Sequence, residues 1–109
     1  MKQNKTIDLS IIIVLYRSED TVKILLDSIA KSPDKLNKQI VIVDNAFPDK
    51  ALSIAQAHKL SPEIIRMNIN VGFSRAVNAA IKISKGKHVL LLNADTKIIG
   101  NSLERLVNF

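Results

Sequence analysis

The chain has 109 residues, enough for one small domain. It has no cysteine, which excludes a disulfide scaffold, a zinc–thiolate site and a thiol nucleophile and fits a reducing compartment. The formal charge of +6 favours anionic partners, either nucleotides or an acidic membrane face. The lysines are dispersed with no run of like charges, so nucleic acid is not an expected partner.

Aromatic residues make up 4% of a chain that is 47% hydrophobic, so the core must be aliphatic. The start "MKQNKTIDLSIIIVLY" has a faint look of a secretion signal. Asp8 interrupts it, and Arg17, Glu19 and Asp20 follow where small cleavage-site residues belong. The longest apolar run, Leu9 to Tyr16, is far short of the roughly 20 residues that span a bilayer. A cytoplasmic protein is expected.

In chain order, "DLSIIIVLY" is a continuous β-branched run, the pattern of a strand buried on both faces. Ser18 is the expected N-cap of the next helix, with Glu19 and Asp20 at its positive end. Val22, Leu25, Leu26 and Ile29 supply one apolar face, and Pro33 ends the helix. "QIVIVDN" reads as a second buried strand, Asp49 to Lys59 as a helix carrying Leu52, Ile54 and Ala55, and "EIIRM" as a short third strand. "NINVG" is a loop, Phe73 to Ser84 a helix that Gly86 stops, and "KHVLLL" a fourth core strand. Asn101 or Ser102 caps a last helix with Leu103, Leu106 and Val107 inward. Strand–helix alternation of this kind predicts a parallel sheet of about four strands with helices on both faces.

Two of these strands end on acids. Asp44 closes the second, and Asn93 and Asp95 lie just past the fourth. In open parallel sheets ligands bind beyond the carboxyl ends of the strands, so these three residues are expected on one ligand-binding edge. A single Asp or Asn after a strand is ordinary turn chemistry; two strands ending alike around a glycine-containing loop point to a site. In "NINVGFSRAVN", Asn70 and Asn78 bracket Gly72, and the helix start after Gly72 can offer N–H groups to a phosphate.

No GxGxxG follows the first strand, no GxxxxGK[ST] occurs and no GxSxG is present. His58 and His88 show no metal-ligand spacing. A lone carboxylate beside an amide suits one hard cation held jointly with substrate phosphates, as Mg2+ and Mn2+ usually are.

Four stretches, "LSIIIVLYRSE", "IVIVDNAFPD", "NINVGFSRAVNAAI" and "GKHVLLLNADT", resemble in order and spacing the inverting family-2 glycosyltransferases of the GT-A fold. The "VDNA" and "NADT" variants look most like the rhamnosyltransferase-type branch, which elongates bacterial cell-surface polysaccharide. The resemblance implies a GT-A-type (Rossmann-like) sheet and a UDP- or dTDP-sugar donor whose diphosphate sits on Mg2+ or Mn2+. It also implies a saccharide or glycolipid acceptor, and peripheral contact with the inner face of the membrane. Leu15 and Tyr16 match nucleotide-contacting positions. Asp44 matches the acid that hydrogen-bonds base or ribose. Asn93-Ala94-Asp95 stands where the family has DxD, with Asp95 as the metal ligand and Asn93, facing ribose and metal, replacing the first acid. Asn70, Gly72 and Asn78 complete the expected nucleotide-binding set.

Three departures follow. Ala76-Val77-Asn78 stands where Ala-Arg-Asn is frequent, with Arg75 displaced by two positions from the usual arginine. Ala80 replaces a frequent glycine. The family's general base and acceptor site lie in a second half that this chain does not reach, so no residue is assigned as base. The expected entity is the nucleotide-sugar-binding half, residues 1–109 as one domain, a fragment unable to transfer sugar alone. A non-catalytic nucleotide-binding or scaffold module is the alternative. A receiver or dehalogenase-like phosphotransfer domain is a weaker rival, because Asn93 occupies the nucleophile position of its DxDxT.

Overall fold

Seven consecutive residues form strand β1 (Leu9–Leu15), and all seven are buried. That follows from its place in the sheet. The computed structural model, which describes residues 6–45 and 48–109, orders its four parallel strands β3-β2-β1-β4. β1 lies between β2 (Lys38–Asp44) and β4 (His88–Asn93), and β3 (Glu63–Arg66) lies outside β2. The first five residues of the signal-like start, and Ala46 and Phe47 of the second motif, lie outside the described residues.

The alternation of β1 and β2 splits the core in two. Leu9, Ile11, Ile13 and Leu15, with Ile40 and Ile42, pack under α1 (Val22–Ala30), α2 (Ala51–Gln56) and Leu103 of α4 (Ser102–Val107). Ile12, Val14, Val41 and Val43 face α3 (Phe73–Ile83) through Ala76 and Ala80. Helices therefore cover both faces, as the alternating pattern predicts. Each of these aliphatic side chains contributes about 1.5–3 kcal/mol by leaving water. Ala80 is fully buried against the sheet, so alanine fits where glycine is frequent.

Several expectations are corrected. Ser18 does not cap α1. Thr21 holds the N-cap position, and the Ser18 hydroxyl instead accepts the Tyr16 N–H at 2.9 Å and donates to the Tyr16 carbonyl at 3.0 Å. Glu19 and Asp20 consequently precede the helix rather than occupying its first turn. α2 is shorter than Asp49–Lys59, because Asp49 turns back to accept the Ala51 N–H and the chain leaves the helix after Gln56. His58 then closes onto α1, with Nε2 2.7 Å from Asp27 Oδ1 and Nδ1 accepting the Leu60 N–H.

β4 is not the core strand that was expected. It is an edge, and Val89 and Leu91 stay 48% and 40% exposed because α3 covers β1 and β2 and stops short of them. Leu106 points outward, while Leu103 and Val107 of the same helix pack inward.

Gly86 does not stop α3, which ends at extended Ser84. Its role lies in a polar knot at the amino end of the sheet. The Ser10 hydroxyl donates to Gln39 Oε1 at 2.6 Å and accepts the Gly86 N–H at 2.9 Å. Gln39 Oε1 also accepts the Lys85 N–H, and its amide donates to the Ile83 carbonyl. Both side chains are buried with their hydrogen-bonding groups satisfied, which is what makes burying them tolerable.

Candidate functional site

All four strands run parallel, so their carboxyl ends form one rim. In register, Leu15 lies opposite Asp44, Asp44 opposite Arg66, and Val14 opposite Asn93. The chain builds β1, β2 and β3 outward on one side, then crosses to lay β4 on the other side of β1. Strand order thus reverses at β1, which is where an open α/β sheet forms a ligand crevice.

Two clefts open along this rim. The first, about 530 Å³, is lined by Asp44, Asp49, Arg66, Met67 and Asn68, with Pro48 and Leu52. The second, about 430 Å³, is lined by Tyr16, Arg17, Phe73, Asn93 and Asp95 among others. Their common wall is the contact in which the Ser18 N–H donates to Asp49 Oδ2 at 3.0 Å.

The local sequence explains how the fourth strand presents its polar end. Ala94 is buried in the core, and the Thr96 N–H returns to the Asn93 carbonyl at 3.0 Å. That tight turn leaves Asn93 and Asp95 on the exposed side, both lining the second cleft. Tyr16 joins them there. The Leu15 side chain is buried in the core, so what it offers the rim is backbone.

Asp44 lies in the first cleft with its side chain 13% exposed and Arg66 Nε 3.8 Å from Oδ2. The remaining expected residues line neither cleft. Gly72, at φ +85°, holds the N-cap position of α3 and requires glycine's conformational freedom. Asn70 Oδ1 accepts from the Gly72 N–H at 2.9 Å and from Asn45 Nδ2 at 3.2 Å. Asn78 is exposed within α3.

Three rim residues escaped the sequence reading. Asn45 is buried and also accepts the Val71 N–H, so it fastens the loop before α3 to the end of β2. Arg17 takes a left-handed backbone at φ 50°, an unusual conformation for a non-glycine residue, with its guanidinium carbon 5.4 Å from the Tyr16 ring centre. Arg66 was read only as part of a strand. The "DN" pair and the polar "YRS" after an apolar strand were the available signals for the first two.

The acids with displaced pKa lie away from the rim. Hydrogen bonds from Lys23 and His58 hold Asp27 at about 2. Burial raises Asp34, but hydrogen bonds from Lys38, Ser32 and the Leu36 N–H outweigh it, and the net displacement is downward. Among the described residues no group of three or more His, Cys, Asp or Glu is placed to enclose a metal. One exposed carboxylate beside one amide does fit a hard cation that takes its other ligands from bound phosphates and water.

Residues 10–109 match the model of the family described as Glycosyl transferase family 2. The chain belongs to that family. It is 35% identical over 106 residues to the poly(ribitol-phosphate) beta-glucosyltransferase of Bacillus spizizenii, covering 93% of this chain and 17% of that protein. It is 32% identical over 101 residues to the UDP-Glc:alpha-D-GlcNAc-diphosphoundecaprenol beta-1,3-glucosyltransferase WfaP of Escherichia coli, covering 92% and 40%. The crystal structure of S. aureus TarS 1-349 in complex with UDP-GlcNAc superposes with a TM-score of 0.84 at 28% identity, covering 94% of this chain and 30% of that one. These matches place the family-2 chain in the GT-A fold. It spans well under half the length of the curated relatives it matches.

Proposed function

We propose that this chain is the nucleotide-sugar-binding part of an inverting, metal-dependent glycosyltransferase that adds sugar to a cell-surface polysaccharide or glycolipid at the inner face of the membrane. The observation that carries the reading is the placement of Asp44 and Asp95 in two adjoining clefts of one rim, on either side of the end of β1. A nucleotide laid across β1 puts its base at Asp44 and its diphosphate at Asp95.

Asp44, as a carboxylate, accepts hydrogen bonds from the base or ribose. The start of α3, whose residue Phe73 lines the second cleft, turns the positive end of a helix toward the diphosphate. Tyr16 and the backbone of Leu15 form the floor between the two ends. Asp95 would hold Mg2+ or Mn2+ with Asn93 beside it, and the ion when bound supplies positive charge to the departing diphosphate. Transfer also needs a base for the acceptor hydroxyl, and we assign no residue of this chain to it. The chain alone is expected to bind donor without transferring sugar.

The structural relative holding UDP-GlcNAc, and the UDP-Glc donor in the name of the Escherichia coli relative, favour a UDP-sugar over a dTDP-sugar. The lipid-diphosphate acceptor in that same name favours the inner membrane face. Among the described residues no helix is long and apolar enough to cross a membrane. Peripheral contact through the basic surface fits that arrangement.

The test is thermal shift and calorimetry with UDP, UDP-Glc, UDP-GlcNAc and a dTDP-sugar, with and without Mn2+. Asp44→Ala should abolish nucleotide binding, and Asp95→Ala should abolish only its enhancement by metal. An Asp95→Ala protein that still responds to Mn2+ as the parent does would overturn the metal assignment.

A further inference from the structure

We infer that Arg66 is a specificity-determining residue that reads the nucleobase together with Asp44, selecting bases with a lactam edge, a ring N–H beside a carbonyl. The inference rests on the nucleotide reading above and adds to it the residue that discriminates among donors.

Arg66 ends β3 and is the register partner of Asp44. Both line the first cleft. The 3.8 Å between Nε and Oδ2 is too long for a hydrogen bond and within ion-pair distance. Asp44 is nearly buried, and among the described residues its carboxylate has no other recorded side-chain or backbone partner. The other acid of the cleft, Asp49, has Oδ1 committed to the Ala51 N–H and Oδ2 to the Ser18 N–H. The cleft therefore presents, in Asp44, a carboxylate with no hydrogen bond among the described residues and, beside it, one guanidinium, 70% exposed, with donors to spare.

An ionised carboxylate only accepts hydrogen bonds, and a guanidinium only donates them. Side by side they complement a base edge that carries N–H next to C=O. Uracil and thymine present N3–H beside O4, and guanine presents N1–H beside O6. Cytosine and adenine reverse both groups: the ring nitrogen is an acceptor and its neighbour an amino donor. With the diphosphate anchored in the second cleft, the base cannot slide along the pair to escape that mismatch.

The experiment is calorimetric titration of this chain, Arg66→Ala and Arg66→Gln with UDP, dTDP, GDP, CDP, ADP and uridine in the presence of Mn2+. The parent should prefer UDP, dTDP and GDP over CDP and ADP. Arg66→Ala should weaken UDP binding at least about tenfold while changing CDP much less, as loss of one charge-assisted hydrogen bond implies. Arg66→Gln, which keeps a donor without charge, should retain part of the preference. The loss should be the same for uridine as for UDP; a loss seen with UDP and absent with uridine assigns Arg66 to the phosphates and overturns the inference. An unchanged UDP-to-CDP ratio in both variants overturns it as well, while leaving nucleotide binding through Asp44 and Asp95 intact. A parent chain that binds no nucleoside diphosphate overturns both readings. Far-UV circular dichroism of the variants confirms folding, which an exposed side chain on an edge strand should not disturb.

Discussion

Replacing Gly86 by alanine measures how far the amino end of the sheet depends on close backbone approach. A Cβ at this position would lie 2.5 Å from the Ser10 nitrogen, 2.8 Å from the His88 carbonyl oxygen and 2.8 Å from the Leu9 carbonyl carbon. All three are backbone atoms of β1 and β4, and none can rotate away as a side chain would. The segment after α3 must lift off the sheet, an overpacking cost of about 1–3 kcal/mol. Lifting it stretches the 2.9 Å hydrogen bond from the Gly86 N–H to the Ser10 hydroxyl, which contributes a further ~0.5–1.5 kcal/mol. The sum is roughly 2–4 kcal/mol, and at ~4 °C per kcal/mol for a domain of this size Tm should fall by about 8–16 °C in a calorimetric or circular-dichroism melt. Gly72→Ala is the control. Its φ is positive, as that of Gly86 is not, but nothing lies within 4 Å of the added atom, so backbone strain of roughly 1–3 kcal/mol acts there without steric overlap. A Gly86→Ala protein melting within about 3 °C of the parent would refute the close-approach argument.

Asp27 sets an acid limb on stability. Its folded pKa of about 2 lies below the ordinary 3.8 because Lys23 and His58 donate to it. A depressed carboxylate stabilises fully above its unfolded value and loses that stabilisation as pH falls through the folded one. The urea midpoint should therefore decline from about pH 4 toward pH 2, and Asp27→Asn should flatten that decline; parallel curves for the two proteins would contradict it. Asn45→Ala removes the two hydrogen bonds that fasten residues 70 and 71 to β2. Amide exchange at Val71 should accelerate, and nucleotide affinity should weaken without loss of the metal response.

The central part of the sheet was legible because β1 and β2 are continuous apolar runs, and such runs are viable only where both faces are covered. The same rule misjudged β4. "HVLLL" is as apolar as "IVIV", but whether a strand is an edge depends on what packs beside it, and the residues of the strand itself do not encode that. The common rim of Asp44 and Asp95 could be foreseen because parallel topology alone sends both strand ends to one side. Arg66 could not be foreseen, since its neighbour is fixed by the register of β3 on β2, to which four residues of "EIIR" give no clue. Nor could the Ser10–Gln39 knot, whose partners are 29 residues apart and look individually like solvated strand polars.

The two edges of the sheet are unlike, and that has a consequence for handling the protein. β3 is four residues long and begins and ends on charged Glu63 and Arg66, a short guarded border that discourages further pairing. β4 is six residues long, with no acidic residue, lysine or arginine between His88 and Asn93, and with Val89 and Leu91 uncovered. Among the described residues its outer row of amide and carbonyl groups pairs with no other strand, and it is a template on which another extended chain can zip. Preparations of the isolated polypeptide should therefore stick to themselves as concentration rises, border to border through β4, and a lysine at position 91 should keep them apart.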